Sequence, residues 1–300
     1  MSIPFMRDQS LHSKSAKTAH SKIADVRTLV NGEPDSSISV HDRGFLYGDG
    51  LFETLAASNG VPLLWDEHYQ RLIKGCERVA LSPPEESLLF AEVKGLLTSV
   101  PYSQSVVKIV ITRAQRGVGY FPDLIDPSKS NRIVYVSPFD PTIILKRTKG
   151  VSLGVSAHRL TGMPDLAGLK TLSALPYVLL ARECQLYSVD EVLVQDMTGA
   201  FLEGSRTNFF CVYKGCIYAP ELELAGVEGV MRNFLIFKMR QYGFTVKITR
   251  IERSLLNLSE EIFLTNSLVG ILPVKQFNDR RFECHTLTHR LQELIADAIL

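Results

Sequence analysis

The run LAGLKTLSALPYVLL, residues 166–180, decides how this chain is read. It holds one cation, Lys170, among Leu166, Leu169, Leu172 and Leu175. An ammonium in such company is poorly solvated, and desolvation lowers a lysine's pKa and frees its amine to attack a carbonyl. A solvated lysine just ahead of a helix fits the same pattern. The pattern predicts that helix over Ser173–Tyr187, with Pro176 tolerated in the first turn.

Working outward, residues 26–139 read as a small N-terminal α+β domain. LFETLAAS, Asn59-Gly60 and VPLLW form a hairpin pattern, because Asn-Gly supplies the positive φ of a tight turn. Asp66 is expected to cap a helix running to about Leu81, with Pro83-Pro84 stopping it. EESLLFAEVKGLLTSV reads as a second helix, and SVVKIVITR and NRIVYVSPF as strands. Residues 140–150 are expected to link to a larger C-terminal α+β domain, 151–300, that carries Lys170. There EVLVQD and FLEGSRTNFFCVY form a hairpin, Val230–Tyr242 a helix ended by Gly243, and residues 285–299 a last helix. VSLGVSAHRL, FTVKITRI, EIFLTNS and ILPVKQF read as strands, without the regular βαβ alternation of a dinucleotide-binding sheet.

Composition narrows the function. Hydrophobic residues are 45% and charged residues 22% of 300, the balance of a globular chain. A net charge of +1 gives no draw towards nucleic acid or an anionic membrane, and no apolar run reaches membrane-span length. Five widely spaced cysteines without a CxxC argue against a disulfide framework or a zinc site and fit a reducing, cytoplasmic setting. Residues 1–25, rich in Ser, Lys and His, lack the apolar stretch of a secretory signal and read as a disordered extension.

Chemistry-bearing candidates are few. Glu203 lies in a strand beside apolar residues, where a carboxylate needs a partner. Arg206 is one candidate partner; a ligand's protonated ring nitrogen, with Asn208 orienting the acid, is the other. Val230 and Met231 begin a helix, whose free N–H groups suit a phosphate. Arg71 on a helix face and Thr265-Asn266-Ser267 at a strand end could add charge and polar donors.

These signals fall in one order. DRGFLYGDGLFETL (42–55), EHYQRL (67–72), LAGLKTLSALPYVLLAR (166–182), EGSRTNFF (203–210), LAGVEGVMR (224–232) and FLTNSLVGILPV (263–274) together resemble the fold-type IV pyridoxal-phosphate enzymes. That family includes branched-chain and D-amino-acid aminotransferases and aminodeoxychorismate lyase. The resemblance implies an α+β chain of two domains with pyridoxal 5′-phosphate between them, in a homodimer. It implies that Lys170 binds the cofactor covalently and shuttles protons. Glu203 then pairs with the pyridine nitrogen, and Arg71, Val230, Met231 and Asn266 hold the phosphate.

PDLAGLK, LELAGVEGVMR and TNSLVGILPV look like the lyase branch, whose reaction releases pyruvate and yields 4-aminobenzoate, a folate precursor. An aminotransferase on a small amino acid is the alternative. In the loop TRAQRGVGYFP (112–122), Val118 stands where the lyases commonly have arginine, and Arg116 is the candidate to replace it. Tyr120 and Val118 occupy the places of the D-amino-acid enzyme's histidine and arginine, and Phe52 that of its pocket tyrosine. Phe52, Arg116 and Tyr120 are therefore the expected substrate contacts.

Overall fold

The computed structural model describes residues 26–34, 36–115, 117–123 and 130–298. The first sheet comprises β1 (Arg27–Val30), β2 (Glu33–Pro34), β3 (Gly50–Ser58), β4 (Val61–Pro62), β5 (Gln104–Thr112) and β6 (Asn131–Pro138). Its order is β2-β1-β6-β5-β3-β4, and every pair is antiparallel. Asn59 and Gly60 have φ of 49° and 75°, as the two-residue turn between β3 and β4 requires. Three helices belong to this part: α1 (Arg43–Tyr47), α2 (Trp65–Arg78) and α3 (Glu86–Ser99).

Alternation in the strands sorts this sheet's two faces. Leu51, Leu55, Val107, Ile109 and Ile111 point into a core closed by Leu72 and Cys76 of α2 and Val93 and Leu97 of α3. Phe52, Thr54, Lys108 and Tyr135, on the other face, are only half-buried. Asp66 does not cap α2, which starts one residue earlier at the buried Trp65, after Leu64 in the left-handed region. Asp66 and Glu67 instead sit in its first turn, where the helix dipole favours acids.

Among the described residues the second sheet has nine strands. These are β7 (Val151–Leu160), β8 (Glu191–Asp196), β9 (Phe201–Gly204), β10 (Asn208–Tyr213), β11 (Cys216–Pro220), β12 (Val246–Thr249), β13 (Glu261–Asn266), β14 (Gly270–Phe277) and β15 (Arg280–Arg281). Their order is β12-β11-β10-β13-β14-β7-β8-β9, with β15 on β14. The pairs β7–β8, β7–β14 and β11–β12 are parallel and the others antiparallel. The helices here are α4 (Thr142–Lys149), α5 (Leu175–Leu186), α6 (Val230–Gln241), α7 (Arg253–Leu258) and α8 (Thr286–Leu294). The stretch expected as a linker thus contains a helix, α4, packed against β14.

FLEGSRTNFFCVY is two strands rather than one. The Glu191 carboxylate accepts from Ser205 N at 2.9 Å and Thr207 Oγ1 at 3.1 Å, and Gly204 N donates to Thr207 O. That turn sends β9 to β8 and β10 to β11 and β13. The helix after Lys170 begins at Leu175, two residues later than expected. Residues 170–172 are held to β3 instead: Phe52 N donates to Lys170 O and Leu172 N to Gly50 O, both at 3.0 Å.

Candidate active site

A cavity of about 440 Å³ lies where the two sheets meet. Phe52 and Arg71 line it from the first sheet's part of the chain, and Lys170, Tyr177, Glu203 and Met231 from the second. The lysine segment is stitched on both sides. Besides its bonds to β3, Gly168 N donates to Gly226 O and accepts, through its carbonyl, from Glu228 N. Arg78, at the end of α2, donates to the carbonyls of Ala167, Pro164 and Asp165. The Lys170 backbone is therefore fixed by both parts of the molecule.

The Lys170 ammonium lies 4.4 Å from the centre of the Phe52 ring, and Lys108 Nζ lies 4.7 Å from the same ring. No carboxylate among the described residues accepts a hydrogen bond from Lys170. Burial, and then repulsion from Arg71, lower its pKa to about 8, against the pull of Glu53 and Glu203. Of the two readings the sequence leaves open, a solvated and a poorly solvated lysine, burial favours the second.

Two buried acids act on its charge. Glu53 on β3 accepts from Arg71 Nε at 2.8 Å, Arg71 Nη2 at 2.5 Å and His68 Nδ1 at 2.6 Å. Burial alone would raise its pKa, but Arg71 and His68 outweigh it and hold the carboxyl at about 2. Burial lowers the pKa of His68 despite Glu53, and its Nε2 has no partner. Arg71 also donates from Nη1 to Glu228 O, just before α6. Sequence reasoning missed Glu53 and His68. The available signal was an acid in register with Leu51 and Leu55, on the apolar face of its strand.

Glu203 on β9 has quite different company. Tyr177 Oη donates to its Oε1 at 2.7 Å, and Asn208 Nδ2 to its Oε2 at 3.2 Å. Val227 N reaches both oxygens, at 2.9 and 3.1 Å. All three donors are neutral, and burial raises the pKa to about 7. Arg206 does not pair with it: its side chain is exposed, and its carbonyl accepts from Asn266. Gly226, at φ 97°, passes so near the acid that a Cβ would stand 3.2 Å from Oε1.

The N-terminus of α6 opens on the same cavity. Val230 and Met231 are buried there, and no side chain caps the helix. Gly229 precedes them because a Cβ would overlap Asn208 Oδ1. Asn266 lines the cavity with both ends of its amide engaged: Oδ1 accepts from Leu268 N and Val269 N, and Nδ2 donates to Arg206 O. Its side chain thus shapes the turn after β13. Phe52 lines the cavity as expected. Tyr120 does not; it is 83% exposed and packs on Tyr47. Arg116 lies outside the described residues. Lys108 and Tyr177 are further site neighbours that sequence reasoning passed over.

Compared with protein-family models, the chain matches that of amino-transferase class IV over residues 50–277. It is 29% identical over 270 residues to an aminodeoxychorismate lyase of Vibrio harveyi, covering 88% of this chain and 97% of that protein. It is 26% identical over 282 residues to a putative branched-chain-amino-acid aminotransferase of Methanocaldococcus jannaschii, covering 91% and 96%. The crystal structure of 4-amino-4-deoxychorismate lyase from Pseudomonas aeruginosa matches with a TM-score of 0.83 at 34% identity, over 90% of this chain and 98% of that one.

Proposed function

The chain belongs to the amino-transferase class IV family, and from that premise we propose that it is a pyridoxal-phosphate-dependent aminodeoxychorismate lyase. Its reaction would convert 4-amino-4-deoxychorismate to 4-aminobenzoate and pyruvate. The observation that carries the cofactor is the buried Glu203 carboxylate, whose three hydrogen-bond donors are all neutral, with the charges of Lys170 and Arg232 too weakly felt to offset its burial. A buried anion needs a positive partner, and a protonated ring nitrogen is one. An uncapped helix start beside Arg71 suits a phosphate, and an amine without an acceptor suits an aldehyde. The residues present therefore fit pyridoxal phosphate. What supports the lyase over other members is the higher identity to two lyases, 29% and 34%, against 26% to the branched-chain-amino-acid aminotransferase over a similar length.

When bound, pyridoxal phosphate supplies an aldehyde for an amine to condense with and a ring that draws electrons from the carbon bearing that amine. The chain's own residues supply the rest. Lys170 would hold the cofactor covalently through Nζ, and with a substrate amine in its place Nζ would be the base that accepts the proton from the amine-bearing carbon. A pKa of about 8 leaves a sizeable share of the amine neutral near neutral pH. Glu203 would pair with the ring nitrogen and keep it protonated. The N–H groups of Val230 and Met231, with Arg71, would hold the phosphate, and Glu53, itself bonded to His68, fixes Arg71 in place. Asn208 orients Glu203, and Asn266 shapes the neighbouring turn. Phe52 forms the wall beside the amine, and Lys108 brings positive charge that suits a carboxylate-bearing substrate.

We assign residues 26–139 and 151–300 to two domains that clasp the cofactor. A homodimer is supported by exposed apolar side chains at Phe45 (68%), Leu175 (68%) and Val178 (59%). Tyr120, exposed and outside this chain's own cavity, is assigned to substrate binding at the pocket of a partner subunit. All five cysteines are free, which suits a reducing, cytoplasmic setting. The test is an assay on 4-amino-4-deoxychorismate. Pyruvate and 4-aminobenzoate in equal amounts support the reading. Transfer of an amino group from D-alanine or leucine to 2-oxoglutarate, without those products, overturns it in favour of an aminotransferase.

A further inference from the structure

Tyr177 lies on α5, five residues after Leu172, which ties the lysine segment to β3. Its ring packs against a buried apolar cluster that includes Leu160, Leu180, Val192 and Leu202. That packing sets the direction of the phenol, which reaches Glu203 Oε1 at 2.7 Å. Burial and the neighbouring Glu203 raise the phenol's pKa, so the proton stays on Tyr177 and the bond runs from phenol to carboxylate. Of the three groups that donate to Glu203, only Tyr177 comes from the helix that follows Lys170; Asn208 starts β10 and Val227 precedes α6.

The two carboxylate oxygens are held unequally. Oε1 accepts from Tyr177 at 2.7 Å and Val227 at 2.9 Å, whereas Oε2 has contacts of 3.1 and 3.2 Å. We propose that Tyr177 is a positioning residue for Glu203, its phenol occupying Oε1 so that Oε2 is the oxygen left for a cationic ring nitrogen. This inference rests on the reading of Glu203 given above. It adds that the lysine helix itself sets the acid, so the covalent anchor and the ring's counter-charge are placed by one stretch of chain.

The test compares Tyr177→Phe with wild type, first without cofactor. The Glu203 carboxyl is followed by carbon NMR with 13C-labelled glutamate, assigned through Glu203→Gln. Loss of one hydrogen bond to the anion should raise its titration midpoint by about one unit. In the loaded protein, pyridoxal phosphate should dissociate about tenfold faster and kcat should fall about tenfold. KM for the amine substrate should stay within about twofold, because no substrate contact is removed. Tyr177→Gln, whose amide can donate, should recover part of the shift. An unmoved Glu203 titration in Tyr177→Phe, or a lower melting temperature as the sole change, would overturn the proposal. Glu203→Gln with unchanged turnover would instead sink the reading of Glu203 as the ring's acid, while the titration of Tyr177→Phe still reports on the positioning bond. In the Glu203→Gln background, Tyr177→Phe should add nothing to cofactor dissociation; full additivity also counts against the coupling.

Discussion

Glu53 and Glu203 are both buried carboxylates, and the charges of both act on one lysine, Lys170. The protein gives Glu53 a cationic partner of its own, Arg71, and a further hydrogen-bond donor in His68, and its pKa falls to about 2. It gives Glu203 only a phenol, a backbone N–H and a side-chain amide, and its pKa rises to about 7. Burial costs both of them; what differs is where the compensating charge comes from. At Glu53 the charge is built in, so the cluster is scaffold for Arg71. At Glu203 the charge has been withheld, so the acid is completed by whatever enters the cavity.

The largest break in this contrast comes from the lysine on which both acids act. Lys170→Ala should lower turnover by roughly 10²–10⁴-fold or more and abolish the visible absorbance of covalently held cofactor. Wild-type turnover in that variant would remove Lys170 from the mechanism. Next comes Glu53→Gln, which strips the half-buried Arg71 guanidinium of its buried counter-charge. A loss of about 3–5 kcal/mol is expected in cofactor-free protein, read by urea unfolding. A loss confined to a few tenths would show that Arg71 is compensated elsewhere.

Glu203→Gln should behave in the opposite sense. The folded pKa of Glu203 lies above its ordinary value of 4.5, so its favourable contribution is present below that value and lost as pH rises through about 7. Relative to wild type, cofactor-free Glu203→Gln should gain stability between about pH 5 and 8, by up to ~3 kcal/mol. Glu53 has a depressed pKa, so its contribution persists above 4.5 and is lost only as pH falls towards 2. A Glu203→Gln difference that stays flat with pH would mean the acid carries its charge at no cost. Smallest of all is Arg206→Ala: the side chain is exposed and makes no bond to Glu203, so stability should change by less than about 0.5 kcal/mol. A large shift in the Glu203 titration there would restore the ion pair that the geometry excludes.

Legibility in the sequence followed the range of the interactions. The Asn59-Gly60 turn, the β5 alternation and the Gly243 helix stop are local, and the structure keeps them. Lys170 was legible because its neighbours within five residues are leucines. The start of α5 was misplaced because residues 170–172 bond to a strand more than a hundred positions earlier. FLEGSRTNFFCVY was read as one strand because its break depends on the Glu191 carboxylate. Arg206 is near Glu203 in sequence, but it lies in the turn between β9 and β10, where its side chain is exposed.

The amino-acid order by itself determined the α+β alternation, a lone lysine among leucines and the set of residue types that could hold a phosphate and a ring. Only the tertiary structure decided that Arg71 has a buried acid bonded to it, that Tyr177 rather than Arg206 meets Glu203, and that Tyr120 is exposed and does not line the cavity. Periodicity and turn chemistry act between near neighbours along the chain. The charge state of a buried acid depends on every donor around it, and those donors are gathered from distant segments only when the chain folds.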